Sequence, residues 1–109
     1  MEIRELQKKI HQTAKEKGWW ETERNMGEML CLVHSEVSEA LEDWRSGRLL
    51  DRVYFEENGK PCGFPSELAD AVIRILDIAE HLSIDLSEVI KQKMAFNETR
   101  SYRHGGKKA

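Results

Sequence analysis

Helix-breaking residues are scarce in this chain. Only two prolines occur, Pro61 and Pro65, so nothing before or after that short stretch carries the ring that removes a backbone donor and kinks a helix. Cysteine is equally sparse. Cys31 and Cys62 lack the spacing of a zinc site, and two cysteines do not make a disulfide framework, so two free thiols are expected. No run of eighteen apolar residues exists, which excludes a membrane-spanning helix. The start, Met1-Glu2-Ile3-Arg4, has none of the apolar core of a signal peptide, and cytoplasmic residence is the expectation. An excess of positive charge is missing too: 17 basic residues stand against 20 acidic ones, for a net charge of −3. That balance argues against a stable nucleic-acid partner. There is no internal repeat and no low-complexity segment.

What remains is 109 residues, 34% of them charged, arranged in helical periods. Four helices are predicted. The first spans about Glu2 to Lys17, with Ile3, Leu6, Ile10 and Ala14 on one face and Gly18 as its stop. The second starts at Asn25, which with Glu28 has capping-box spacing, and runs to Ser46 before Gly47. The third opens after Gly63-Phe64 with Pro65 in its first turn and runs to Leu82. The fourth starts at Asp85, again with a glutamate three residues on (Glu88), and reaches about Thr99. Asn58-Gly59 signals a turn between the second and third helices. Val53-Tyr54-Phe55 is the one segment there with strand character, and no strand is predicted on it. The fold class expected is all-α, a four-helix bundle, with a single domain over 1–100 and a basic, flexible tail over 101–109.

Two acidic pairs carry the functional signal. Glu36 and Glu39 lie three apart on the second helix, and Glu67 and Asp70 three apart on the third. That spacing puts both carboxylates of a pair on one helical face. On the third helix the stripe continues through Arg74 and Asp77, flanked by Ala71, Ile73 and Ile78; the second adds Asp43, flanked by Leu32 and Ala40. Arg74 can pair with Asp70 or Asp77, or reach a phosphate. Helices apolar on most other sides are expected to be largely buried, and Trp44 to lie in the core or at a subunit interface. Burying four carboxylates is unfavourable unless a cation compensates them. Mg²⁺, or Mn²⁺, is the natural candidate because it prefers oxygen ligands. The alternative is two solvated faces. A di-iron site is set aside, because it needs Glu-x-x-His elements and neither Glu28 nor Glu36 is followed by one.

Ser35-Glu36-Val37-Ser38-Glu39, then Glu67-Leu68-Ala69-Asp70 continuing to Asp77, then Lys93 through Asn97, Arg100, Tyr102 and Arg103 to Gly106, occur in that order. In these three motifs the chain resembles the MazG-like nucleoside triphosphate pyrophosphohydrolases, the all-α NTP pyrophosphatases, over about Ile10 to Gly106. The resemblance implies hydrolysis of (d)NTPs between the α- and β-phosphates, with Glu36, Glu39, Glu67 and Asp70 as Mg²⁺ ligands. It implies Lys93 and Asn97 as contacts to phosphate and sugar, the alternative being an exposed helix surface; Arg103 lies in a basic tail that either folds over the phosphates or is a frayed terminus. The family often has an aromatic residue at the position of Trp20 with a histidine nine residues earlier, which His11 matches, so Trp20 is a candidate for base stacking, the alternative being plain packing of the first helix onto the bundle. Ser35 departs from the further glutamate of many members, which bears on metal number. A role in nucleotide-pool control or house-cleaning is expected, and the apolar character of the second and third helices suggests a homodimer, or a tetramer of two dimers. Two rival classes stand beside this one: a non-catalytic helical protein-interaction module using the apolar faces, and a nucleic-acid-binding module using the basic tail.

Overall fold

The computed structural model describes residues 2–102. Arg103, Lys107 and Lys108 of the expected basic tail lie outside the described residues. The elements follow in the order α1 (Ile3–Glu16), α2 (Met26–Arg45), β1 (Tyr54–Phe55), β2 (Pro61–Cys62), α3 (Phe64–His81) and α4 (Leu86–Glu98). The fold is small and all-α, apart from one two-stranded hairpin.

Local chemistry sets the helix ends. Asn25 Oδ1 accepts from the backbone N–H of Glu28 at 3.0 Å to start α2, and Asp85 Oδ1 accepts from that of Glu88 at 3.3 Å to start α4. Both are side-chain caps on otherwise unpaired donors. Pro65 sits in the first turn of α3, where no N–H is required. Gly63 precedes it at φ +107°. An added Cβ there would stand 3.0 Å from the Arg52 carbonyl and from the Tyr54 ring, so only glycine fits. Tyr54 belongs to the hairpin, which pairs Tyr54 with Cys62 and Phe55 with Pro61 in antiparallel register. The hairpin therefore docks at the entrance to α3. It is the one element absent from the predicted set, because two-residue strands have no periodicity to read.

α3 is the centre of the fold, with α2 on one side and α1 on another; α4 packs principally on α1. Contacts of Gln7 with Glu80 and His11 with Asp77 set α1 antiparallel to α3. Met29, Ala40, Ala71, Leu76 and Ala79 form the buried apolar core. Three of these are alanines, which let helices approach closely.

Gln7 is completely buried. Its Nε2 donates to Glu80 Oε1 at 3.2 Å and to the Ile84 carbonyl at 2.8 Å, and its Oε1 accepts from the Leu86 N–H at 2.9 Å. One side chain thus fastens the turn between α3 and α4 to α1. Gln7→Leu keeps the bulk but strands the partners in that turn, and is expected to destabilise the protein by about 2–4 kcal/mol. Urea unfolding checks this; a loss below about 0.5 kcal/mol would show that the clamp carries no weight.

Burial of α2 and α3 is less complete than expected. Leu30, Val37, Leu41 and Trp44 on α2 are exposed, as are Leu68, Val72, Ile73 and Ile75 on α3. The physical reason is geometric. α1 covers one side of α3 and α4 packs beside α1, so among the described residues the outer faces of α2 and α3 have no cover.

Candidate active site

The side-by-side packing of α2 and α3 brings the acidic stripes together. One oxygen each of Glu36, Glu67 and Asp70 lies within 4.8 Å of the others. Glu36 is 8% exposed, Glu67 is half-buried and Asp70 is open to solvent. Arg74 pairs with neither Asp70 nor Asp77 of its own helix: its Nε donates to Glu36 Oε1 at 3.0 Å.

Two of these acids, Glu67 and Asp70, are held toward their protonated forms. Burial, then side-chain hydrogen bonding to Glu39 and Glu36, pushes Glu67 up to about 8. Glu39 is exposed on the next turn of α2, yet its carboxyl stands close enough to Glu67 to contribute this effect. Asp70 is raised as well, first by desolvation and then by Glu36, with Arg74 opposing. Carboxylates that resist ionisation together are relieved by a bound cation. An all-oxygen donor set of this kind fits Mg²⁺ or Mn²⁺.

The raised Glu67 pKa has a consequence for stability. In the unfolded chain this carboxyl loses its proton near 4.5, and in the folded protein near 8. Between those values the folded form binds more protons, so stability falls as pH rises through the window. The difference in melting temperature between wild type and Glu67→Gln is expected to widen from pH 4.5 to 8 in EDTA, with the variant gaining. Parallel curves would show that Glu67 titrates normally.

A second cluster forms around Asp77, which is 8% exposed. His11 Nδ1 lies 2.7 Å from its Oδ1. Trp20 Nε1 donates to both oxygens, at 3.0 and 3.1 Å. Arg24 Nη1 is 3.7 Å from Oδ2. The Trp20 ring stacks on His81 with centroids 4.0 Å apart and planes at 17°, and the Arg24 guanidinium carbon lies 4.9 Å from its centre. Gly18, at φ +89°, ends α1 and lets the chain turn back so that Trp20 and Arg24 meet the same carboxylate as His11.

Both clusters border one cavity of about 330 Å³. Ile10, Thr13 and Ala14 of α1 and Lys17 at its C-cap line it together with Asp70, Ile73, Arg74 and Asp77 of α3, each set at the spacing of a single helical face. Glu36, Arg24 and Trp19 complete the lining. The cavity is the size of a small-molecule site and joins acids, three cations and apolar surface.

Compared with family models, curated proteins and solved structures, the chain matches none.

Of the residues singled out from the sequence, Glu36, Glu67 and Asp70 converge, with Glu39 beside Glu67. His11 and Trp20 also come together, both held by Asp77 rather than lining the cavity. Lys93 and Asn97 do not join either group. They are exposed on α4 and do not line the cavity of their own chain. Arg103 lies outside the described residues. Four residues were not singled out as site residues from the sequence: Asp77, Arg24, Lys17 and Trp19. The acidic stripe of α3 did include Asp77, one turn past Arg74, but nothing in the sequence revealed which residues it binds. Arg24 gave no signal in the sequence.

Proposed function

We propose that this chain is a divalent-metal-dependent nucleoside triphosphate pyrophosphohydrolase that converts (d)NTP to (d)NMP and pyrophosphate. The observation that carries the reading is the convergence of Glu36, Glu67 and Asp70, two of which, Glu36 and Asp70, line a cavity that also presents Lys17, Arg24 and Arg74. Carboxylates alone repel a triphosphate. Carboxylates suited to a divalent ion, with cations in the same cavity, match a metal-bound polyanion. The three ordered motifs shared with the MazG-like enzymes support the same reading.

In this reading Glu36, Glu67 and Asp70 hold Mg²⁺ or Mn²⁺. When bound, the metal neutralises phosphate charge and lowers the pKa of a coordinated water. Glu39, next to Glu67, is the carboxylate placed to take a proton from the attacking water. Arg74 bonds Glu36 and fixes its carboxylate, while Lys17 and Arg24 add positive charge along the cavity. The bond broken is the anhydride between the α- and β-phosphorus atoms. The role that follows is control of the nucleotide pool or removal of non-standard nucleotides.

Assembly as a homodimer, or a tetramer of two dimers, belongs to the same proposal. Leu30, Val37, Leu41 and Trp44 form an exposed seam at heptad-like spacing on α2, and a second copy of that seam is its natural cover. Lys93 and Asn97 then enter as contacts supplied by a neighbouring copy.

The test is a panel of NTPs and dNTPs incubated with the protein in Mg²⁺, Mn²⁺ or EDTA, with nucleotide loss followed by chromatography. Metal-dependent loss of at least one nucleotide is expected. No turnover across the panel would remove the enzyme reading and leave the interaction module that the exposed seam also suits.

A further inference from the structure

The structure assigns Trp19, rather than Trp20, as the aromatic surface that stacks the flat base of a nucleotide in this cavity; the assignment rests on the pyrophosphohydrolase reading. The two tryptophans are neighbours in sequence but differ in every physical respect. Trp20 has its indole N–H spent on Asp77 and a ring face stacked on His81, and it does not line the cavity. It is fixed in place as structure. Trp19 is 63% exposed and does line the cavity. Among the described residues its indole makes no hydrogen bond, and its one aromatic or cationic neighbour is Arg24, 5.8 Å from the ring centre.

The composition of the cavity gives this orientation a purpose. Ile10, Ala14 and Ile73 provide apolar surface beside Trp19, while Glu36 and Asp70 stand in the same wall. A ligand that satisfies both parts has a flat apolar-faced group joined to a metal-binding polyanion, which is the chemistry of a nucleotide rather than of an inorganic polyphosphate. An aromatic ring stacks any base, so Trp19 adds affinity without choosing among bases. Asp77 acts as a positioning residue here. It anchors Trp20 and Arg24, and so sets the short segment from which Trp19 projects.

The test compares two probes in Mn²⁺ by calorimetry: inorganic triphosphate, which engages only the metal end, and an α,β-methylene nucleoside triphosphate, which the enzyme cannot cleave. Wild type is expected to bind the nucleotide analogue more tightly than inorganic triphosphate. Trp19→Ala is expected to weaken the analogue by roughly 5- to 150-fold, the range of one base–aromatic stack, and to leave inorganic triphosphate unchanged. Trp19→Phe is expected to recover most of that loss. In a Trp20→Phe/Trp44→Phe background, Trp19 fluorescence is expected to change on adding the analogue. The assignment is overturned if Trp19→Ala binds the analogue like wild type, or if Trp20→Phe, with its circular dichroism intact, loses more than Trp19→Ala. A wild-type protein that binds neither probe refutes the pyrophosphohydrolase reading itself. One that binds both equally refutes only the stacking role.

Discussion

Glu39→Gln is expected to lower kcat by about 10²–10⁴-fold, the usual worth of a positioned proton acceptor, with the helical circular dichroism signal unchanged. The expectation follows from how differently the four acids sit. Glu36, Glu67 and Asp70 share oxygens within 4.8 Å, so replacing any of them changes the cation site directly. Glu39 is exposed and outside that triad, yet its carboxyl reaches Glu67. It can therefore lose its charge without unsettling the packing of α2 on α3. Mn²⁺ affinity, measured by calorimetry, separates the two kinds of effect. Glu39→Gln should keep most of it, whereas Glu36→Gln should lose most of it along with turnover. A Glu39→Gln variant with full activity would take Glu39 out of the chemistry.

Asp77→Ala is expected to destabilise the protein by about 3–5 kcal/mol, as removing one partner of a buried charged network does. Against a typical total of about 5–15 kcal/mol this is a large share. Asp77 receives His11, Trp20 and Arg24, the first two within 3.1 Å, and sits almost wholly inside the fold. Alanine leaves an indole N–H and a guanidinium without their acceptor in a poorly solvated place. The segment joining α1 to α2 is expected to come loose first, since two of the three partners lie on it. Urea unfolding measures the total, and hydrogen exchange at residues 18–25 locates it. A loss below about 1 kcal/mol would mean that solvent already satisfies these groups.

Helix limits and the acidic stripes were legible in the sequence because both are local. Asn25, Asp85, Pro65 and the glycines at 18 and 47 act within a turn of where they stand, and the observed helices begin and end within a residue or two of the expected positions. The pairs Glu36/Glu39 and Glu67/Asp70 share a face whatever the tertiary fold, so only their convergence awaited the packing of α2 on α3. The hairpin was legible only in part: Val53-Tyr54-Phe55 had strand character and Asn58-Gly59 marked the turn, but the pairing with Pro61-Cys62, with Tyr54 lying over Gly63 and Arg48 against the Tyr54 ring, leaves no periodic signal.

The Trp19-Trp20 linker was ambiguous for a similar reason. No periodicity tells which indole turns inward, and the answer comes from Asp77, 57 residues further on from Trp20. Burial was overestimated on α2 and α3 because apolar residues on most sides of a helix do not tell which sides a neighbour covers, and the described residues cover only some of them.

The proposed reaction splits a triphosphate between its α- and β-phosphorus atoms. A phosphorus NMR time course of a turned-over nucleotide in Mg²⁺ reads that bond directly. Nucleoside monophosphate and pyrophosphate appearing together in equal amounts is the result expected. Orthophosphate with nucleoside diphosphate would contradict it.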